Sequence, residues 1–113
     1  MQKKVAEVNL EYDMPIVDVA IQRMMNSLTM HKRQGYKAVI LIHGYGSTGV
    51  GGSIKTAVVK CLQGSSMRGI VRAYAGGEQW SERKRDMIGM CKALENYGNR
   101  IADNLGVTVV ILR

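Results

Sequence analysis

The 113-residue sequence is basic, with 16 lysines and arginines against 9 acidic residues and a formal net charge of +7. Its length suits one domain, and no apolar run reaches the roughly 18 residues needed to cross a bilayer. Its two cysteines form neither a disulfide framework nor a metal-binding spacing. We therefore expect a single soluble domain over residues 1–113, without membrane contact, in the reducing cytoplasm.

The first predicted elements are a strand and a helix. Residues 5–10 alternate between apolar and polar side chains, which predicts a short strand with Asn9 and Glu11 on one side. The tripeptide Asp13-Met14-Pro15 predicts the start of a helix, and apolar residues at helical spacing continue until Gly35 ends it. This helix is expected to cover one face of a sheet.

The second strand leads into a glycine-rich loop. After Lys37, residues 38–42 form an apolar run rich in β-branched residues that predicts a buried strand, and His43 follows it. Five of the nine residues from 44 to 52 are glycines, which allow a backbone to approach a ligand closely. Ser53 is the predicted N-cap of a helix that continues to Leu62. Strand, glycine loop and helix N-terminus in this order predict an anion site.

The remaining elements complete an α/β pattern. Residues 68–77 predict a third strand, residues 81–104 a helical stretch that Gly98 breaks, and residues 106–112 a last buried strand. The order β-α-β-α-β-(α)-β predicts an α/β fold, a two-layer sandwich with a mixed sheet.

The third strand places Arg72 and Tyr74 on one side. A cation and an aromatic ring that alternate along a strand can hold phosphate and stack on a base. The alternative is that Tyr74 is half-buried in the core and Arg72 is only solvated.

The positive charge is concentrated in one segment. Between Asp18 and Glu78 there is no acidic residue, and eight basic residues lie there: Arg23, Lys32, Arg33, Lys37, Lys55, Lys60, Arg68 and Arg72. A basic segment centred on the glycine loop predicts a polyanionic partner, most simply nucleic acid. The alternative is a basic surface that serves only solubility.

Two common phosphate-binding loops do not fit the glycine loop. Residues 44–49 match G-x-G-x-x-G, but the acidic residue that would bind a ribose about 20 positions on is absent, since no acid follows before Glu78. A Walker loop needs Lys-Ser/Thr after its second glycine, whereas Gly49 is followed by Val50. The sequence therefore argues against dinucleotide binding and Walker-type nucleotide hydrolysis.

The loop and the closing strand carry the motifs of a known family. Ile42-His43-Gly44-Tyr45-Gly46-Ser47-Thr48-Gly49 is similar to an H-G-x-G-x-G loop, and Gly106-Val-Thr-Val-Val-Ile-Leu112 to a G-V-T-V-V-x-L strand. Both belong to the Smr (small MutS-related) domain, which the chain resembles from about residue 5 to residue 112. The resemblance implies an α/β sandwich that binds DNA or RNA, with endonuclease activity in several members and no established need for a nucleotide cofactor.

Two departures from that family bear on activity. Its first strand usually reads L-D-L-H-G, with the Asp and His implicated in activity, whereas here Asn9 and Glu11 hold those positions. Residues 81–104 form a helical insertion where the family usually has a shorter glycine-containing loop. The insertion is expected to cover the sheet edge, form a homodimer contact or lie over the nucleic-acid groove.

These residues define a candidate site. His43 is the candidate general acid or base, and Glu11 would orient it or act as the base. Alternatively, His43 only hydrogen-bonds the loop backbone. The candidate nucleic-acid-binding residues are Asn9, Gly44, Tyr45, Gly46, Ser47, Thr48, Gly49, Ser53, Lys55, Arg72 and Tyr74. One carboxylate gives little basis for a metal site, so no cofactor is predicted and a divalent metal is left open.

Three functions remain open from the sequence. The first is a nucleic-acid-binding Smr-type domain with DNA or RNA endonuclease activity, and the second is a binding module of the same fold that does not cleave. The third is a binder of small phosphate compounds at the glycine loop.

Overall fold

The structure is a computed structural model that describes residues 4–12, 16–44 and 50–113, with only the backbone of residues 50 and 51. Four strands form one mixed sheet: β1 (Val5–Asn9), β2 (Ala38–Ile42), β3 (Val71–Gly76) and β4 (Val107–Leu112). Their spatial order is β1-β2-β4-β3, with β1 parallel to β2 and β4 antiparallel to β2 and β3. The C-terminal ends of β1, β2 and β3 therefore meet the start of β4 at one end of the sheet.

Helices connect these strands. They are α1 (Val17–Arg33), α2 (Val50–Gln63), α3 (Trp80–Met90) and α4 (Gly98–Ile101), with short 3-10 helices at Ser65–Met67, Gly77–Gln79 and Lys92–Tyr97. Over the described ranges, none of the helices has the length and apolar composition that crossing a bilayer requires.

The two central strands separate two hydrophobic cores. Because successive side chains of a strand point to opposite faces, Val39 and Leu41 pack with α1 and α2, whereas Ala38 and Ile40 pack with α3. All six residues of β4 are buried, as expected for a strand covered on both faces. The first core also contains Ala20, Met24 and Leu28 of α1 with Ile54 and Val58 of α2.

The predicted α/β fold with a mixed sheet is confirmed, but helices cover both faces, so the sheet lies in a three-layer arrangement rather than a two-layer one. The third layer comes from the predicted insertion, where Trp80, Met87, Leu94 and Ile101 are buried against the second face. The apolar stripe that suggested a homodimer contact is thus covered by this chain's own sheet. A homodimer through residues 81–104 stays a prediction without that support.

The end of α1 matches the sequence prediction, and the start of α2 differs from it. Gly35 ends α1 with φ at +91°, a conformation that glycine adopts at little cost. However, α2 begins at Val50, so Ser53 lies in its first turn and is not the N-cap. Gly51 and Gly52 predicted a loop because glycine is a poor helix former, yet they form helix here. The predicted helix start Asp13-Met14-Pro15 lies outside the described residues.

The break in the predicted helical stretch also lies elsewhere. The α-helix begins at Trp80 and ends at Met90, and Cys91 is extended, with φ at −147° and ψ at 95°. Gly98 begins α4 and does not interrupt a helix. The extended Cys91 turns the chain while its side chain stays buried, so packing against the sheet outweighs local helix propensity here.

Two glycines of the third layer give a matched stability test. A Cβ at Gly77 would collide with the carbonyl oxygens of Asn104 and Ile101, whereas one at Gly89 would meet nothing within 4 Å. We expect Gly77→Ala to lower the free energy of unfolding by at least about 2 kcal/mol. Gly89→Ala should raise it by about 0.5 kcal/mol, because alanine favours helix. Urea unfolding measures both, and equal effects would contradict this packing.

Candidate functional site

Polar side chains gather where the strands β1, β2 and β3 end. Asn9 ends β1 and Glu11 comes soon after it, His43 and Gly44 follow β2, and Glu78 follows β3. We use the name strand-end site for the group Glu11, His43, Gly44, Lys55 and Glu78.

The His43 ring is completely buried and hydrogen-bonded at both nitrogens. In the neutral ring, Nδ1–H donates to the Gly44 carbonyl at 2.7 Å and Nε2 accepts from the Thr108 hydroxyl at 2.8 Å. The backbone N–H groups of His43 and Gly44 both donate to the Gly106 carbonyl, at 2.9 and 3.0 Å. Ring and backbone together join the end of β2 to the start of β4.

The surroundings of His43 favour its neutral form. Burial lowers the pKa of the imidazole below its ordinary value and is the largest effect, opposed by the hydrogen bond to the Gly44 backbone. The Lys55 charge lowers the same pKa further, and the Glu78 charge raises it. To exchange a proton with a ligand, this buried ring would have to give up one of its two hydrogen bonds and become exposed. Its role in catalysis stays a prediction.

Glu11 lies beside the residue that follows His43. The N–H of Leu10 donates to the Ile42 carbonyl at 2.8 Å, and the side-chain oxygen of Asn9 accepts the N–H of Glu11 at 2.8 Å. This turn brings the Glu11 carboxylate over Gly44, where φ is +69° and a Cβ would collide with the carboxylate. Because the imidazole bonds to Gly44 and Thr108, Glu11 is not its orienting partner.

An ion pair flanks the buried histidine. The Lys55 ammonium, carried by α2, lies 2.6 Å from a Glu78 carboxylate oxygen. Burial raises the pKa of Glu78, but hydrogen bonding and the positive charge of Lys55 outweigh that effect, so the pKa lies below its ordinary value. The carboxylate folds over Gly76, where a Cβ would collide with it.

The sequence did not identify Glu78 and Thr108 as site residues. Both carried a signal: Glu78 is the first acidic residue after the acid-free segment, and Thr108 is the only polar residue in the apolar closing strand. Neither signal shows that Glu78 pairs with Lys55 or that Thr108 bonds to His43, which lies 65 positions away.

The remaining predicted residues divide into three groups. Tyr45 to Gly49 lie outside the described residues. Ser53 is exposed in the first turn of α2. Arg72 and Tyr74 lie along β3, with Arg72 four residues before Gly76 and thus about 13 Å from that end of the strand at 3.3 Å per residue. The structure therefore brings Asn9, Glu11 and Lys55 to the site of His43 and leaves Arg72 apart.

The chemistry available at the strand-end site is limited by this arrangement. It offers one exposed carboxylate over a glycine and one ion pair. Within residues 4–12, 16–44 and 50–113, no three His, Cys, Asp or Glu side chains lie together as metal ligands would. The described groups suit electrostatic contact with a polar ligand.

Comparison with solved structures supports the fold that the motifs implied. The chain is similar to the crystal structure of the Smr domain of Thermus thermophilus MutS2, with a TM-score of 0.58 and 20% sequence identity over 98% of each chain. No family model matches the sequence, and a search of curated proteins gave no match. The chain therefore has an Smr-like fold, and the similarity carries information on fold alone.

The lowered pKa of His43 predicts pH-dependent stability. Because the unfolded chain binds this proton more readily, the contribution of the neutral ring is complete above the unfolded-state pKa of roughly 6.5 and is lost as the pH falls below it. The free energy of unfolding should thus decrease between pH 7 and pH 5. His43→Asn should flatten this dependence, whereas His31→Gln should retain it. An unchanged slope in His43→Asn, measured by urea unfolding, would contradict the assignment.

Proposed function

We propose that this protein is a nucleic-acid-binding domain of Smr-like fold, whose acid-free segment between Asp18 and Glu78 supplies the electrostatic surface. One observation carries the proposal. Of the eight basic side chains in that segment, Lys55 alone forms an ion pair with an acidic residue of the described chain. The other seven keep charges that phosphates can neutralise, with release of the counterions that surround nucleic acid.

The strand-end site adds one cation to this surface. Gly44 opens the glycine-rich segment, but the space over it is filled by the Glu11 carboxylate, so a phosphate would contact the site through Lys55. The Lys55 charge acts on His43, next to Gly44, and its ammonium, held by Glu78, can donate to a phosphate oxygen. The motif resemblance to Smr domains, which bind DNA or RNA, agrees with this distribution of charge.

Cleavage of the bound strand is the second candidate function, and the position of Glu11 favours it. A carboxylate that lies over Gly44, beside the entrance to the glycine loop, can take a proton from an attacking water molecule. Glu11 occupies the position where the family usually has a histidine, so a base is present although the usual one is not. Binding without cleavage needs none of these steps and remains the primary proposal.

The first prediction from the proposed function concerns salt. Fluorescence anisotropy with labelled 12-nucleotide DNA and RNA should show affinity falling at least about tenfold between 50 and 200 mM salt, because several phosphate contacts release counterions. A labelled neutral oligonucleotide analogue serves as the control. If the charged strands bind no better than the neutral one, the proposal fails.

The second concerns Glu11. If the protein cleaves a labelled strand, with or without a divalent metal, Glu11→Gln should slow cleavage by roughly a hundredfold or more, the usual effect of losing a general base. Binding should change little. Glu95→Gln removes an exposed carboxylate elsewhere and should leave cleavage unchanged. A wild-type protein that binds every strand and cuts none would remove the second candidate and leave the first in place.

A further inference from the structure

A groove runs along the outer edge of the sheet. It encloses about 440 Å³ beside β3, the edge strand next to β4. The C-terminal end of α2, including Gln63, forms one side, and Gln79 with the first turns of α3 forms the other. The groove therefore lies between the two helical layers, on an edge that no other strand of the described chain covers.

The lining of this groove is cationic. Arg68, Arg72 and Arg83 contribute to it, and among the described residues none of those that line it is acidic. No described acidic residue forms an ion pair with any of the three arginines. Three guanidinium groups around one groove complement a polyanion, and each can bind a phosphate through two parallel hydrogen bonds.

A β-bulge gives Arg72 its place in the groove. The pairing of β3 with β4 skips from Val71 to Ala73, which leaves Arg72 as an extra residue on the edge strand. Bulges of this kind redirect a side chain and interrupt the regular row of backbone hydrogen-bonding groups. The interrupted edge is a poor template for an added peptide strand, and its arginine is exposed to solvent.

An aromatic ring lies in the same groove. Tyr74 lines it two residues beyond Arg72, and its half-buried side chain also packs against the first core. A ring held by core packing loses little freedom when a base stacks on it. Stacking on aromatic side chains is the usual contact of single-stranded nucleic acid with proteins that do not read sequence.

We propose that this groove binds a single-stranded segment of nucleic acid, with Arg68, Arg72 and Arg83 on its phosphates and a base stacked on Tyr74. The inference rests on the proposed function and specifies its site and its partner. A duplex keeps its bases stacked on one another, so it can use the arginines but not the ring. Single strands should therefore bind more tightly than a duplex at equal salt.

The test compares two double variants by anisotropy with labelled 12-nucleotide single strands. Arg68→Gln with Arg72→Gln removes two groove charges, whereas Lys84→Gln with Lys92→Gln removes two exposed charges outside the groove and outside the acid-free segment. The groove variant should lose at least about tenfold in affinity at 50 mM salt, and its salt slope should fall by about 1.4. The control pair should keep the wild-type slope.

A second comparison tests the aromatic contact. Tyr74→Phe keeps the ring and should bind within about twofold of wild type, whereas Tyr74→Leu should lose roughly tenfold, the usual effect of removing one stacked base. Circular dichroism checks that both variants are folded. If Tyr74→Leu is unfolded, the groove arginine variant and the ratio of single-strand to duplex affinity decide the question.

The outcomes separate this inference from the proposed function. A wild-type protein that binds no nucleic acid overturns both. Equal losses in the groove and control double variants overturn the groove and leave the proposed function standing. If a polyglutamate peptide of equal charge binds as tightly as the oligonucleotide and a folded Tyr74→Leu binds normally, the groove is a general polyanion site, which overturns the assignment to single-stranded nucleic acid.

Discussion

The hydrogen bonds of His43 fix the geometry on which the strand-end site depends. The imidazole lies between the Gly44 carbonyl and the Thr108 hydroxyl, and the backbone beside it bonds to Gly106. A buried polar group without partners costs free energy, and this ring has a partner at each nitrogen. It therefore holds the end of β2 against the start of β4. The position of Gly44 follows from this, with the Glu11 carboxylate directly above it.

The same hydrogen bonds distinguish the candidate catalytic histidine from the groups that are free to contact a ligand. A histidine after a buried strand and before a glycine loop resembles a catalytic group in the sequence, yet its nitrogens are used to hold two strands together. The groups available to the proposed ligand are Glu11 and the pair Lys55–Glu78 at one end of the sheet, with the arginines beside β3. A single strand bound as proposed could follow β3 from Arg72 to Gly76, over about 13 Å, and so extend from the groove to the end of the sheet where the strand-end site lies.

Local patterns predicted most of the fold. The apolar run before His43, the glycine that ends α1 and the helical spacing of Ile54 and Val58 each have a local cause, and each element is present. The third layer was harder to predict, because the spacing of Met87 and Leu94 predicts an apolar face but not what covers it. The extended Cys91 likewise depends on packing against a sheet formed by residues distant in sequence.

The candidate site was also predictable only where it depends on local patterns and on the order of the elements. The first strand and the glycine loop bring Glu11 and Gly44 together because β1 and β2 are parallel neighbours, which the order of elements favours. The bond between Thr108 and His43 and the groove lined by Arg68 and Arg83 depend on how distant segments pack. The alternation of side chains along a strand predicted that Arg72 and Tyr74 share one side of β3. In the structure, a β-bulge sets the position of Arg72.

Chemical-shift mapping tests the central claim most directly. Titration of ¹⁵N-labelled protein with an unlabelled 12-nucleotide single strand would locate the contact residue by residue. Binding in the groove and at the strand-end site predicts shifts concentrated at residues 63–83 and at Gly44 and Lys55, reduced by added salt. Shifts confined to α1, or no shifts at millimolar oligonucleotide, would contradict a nucleic-acid-binding role for these surfaces.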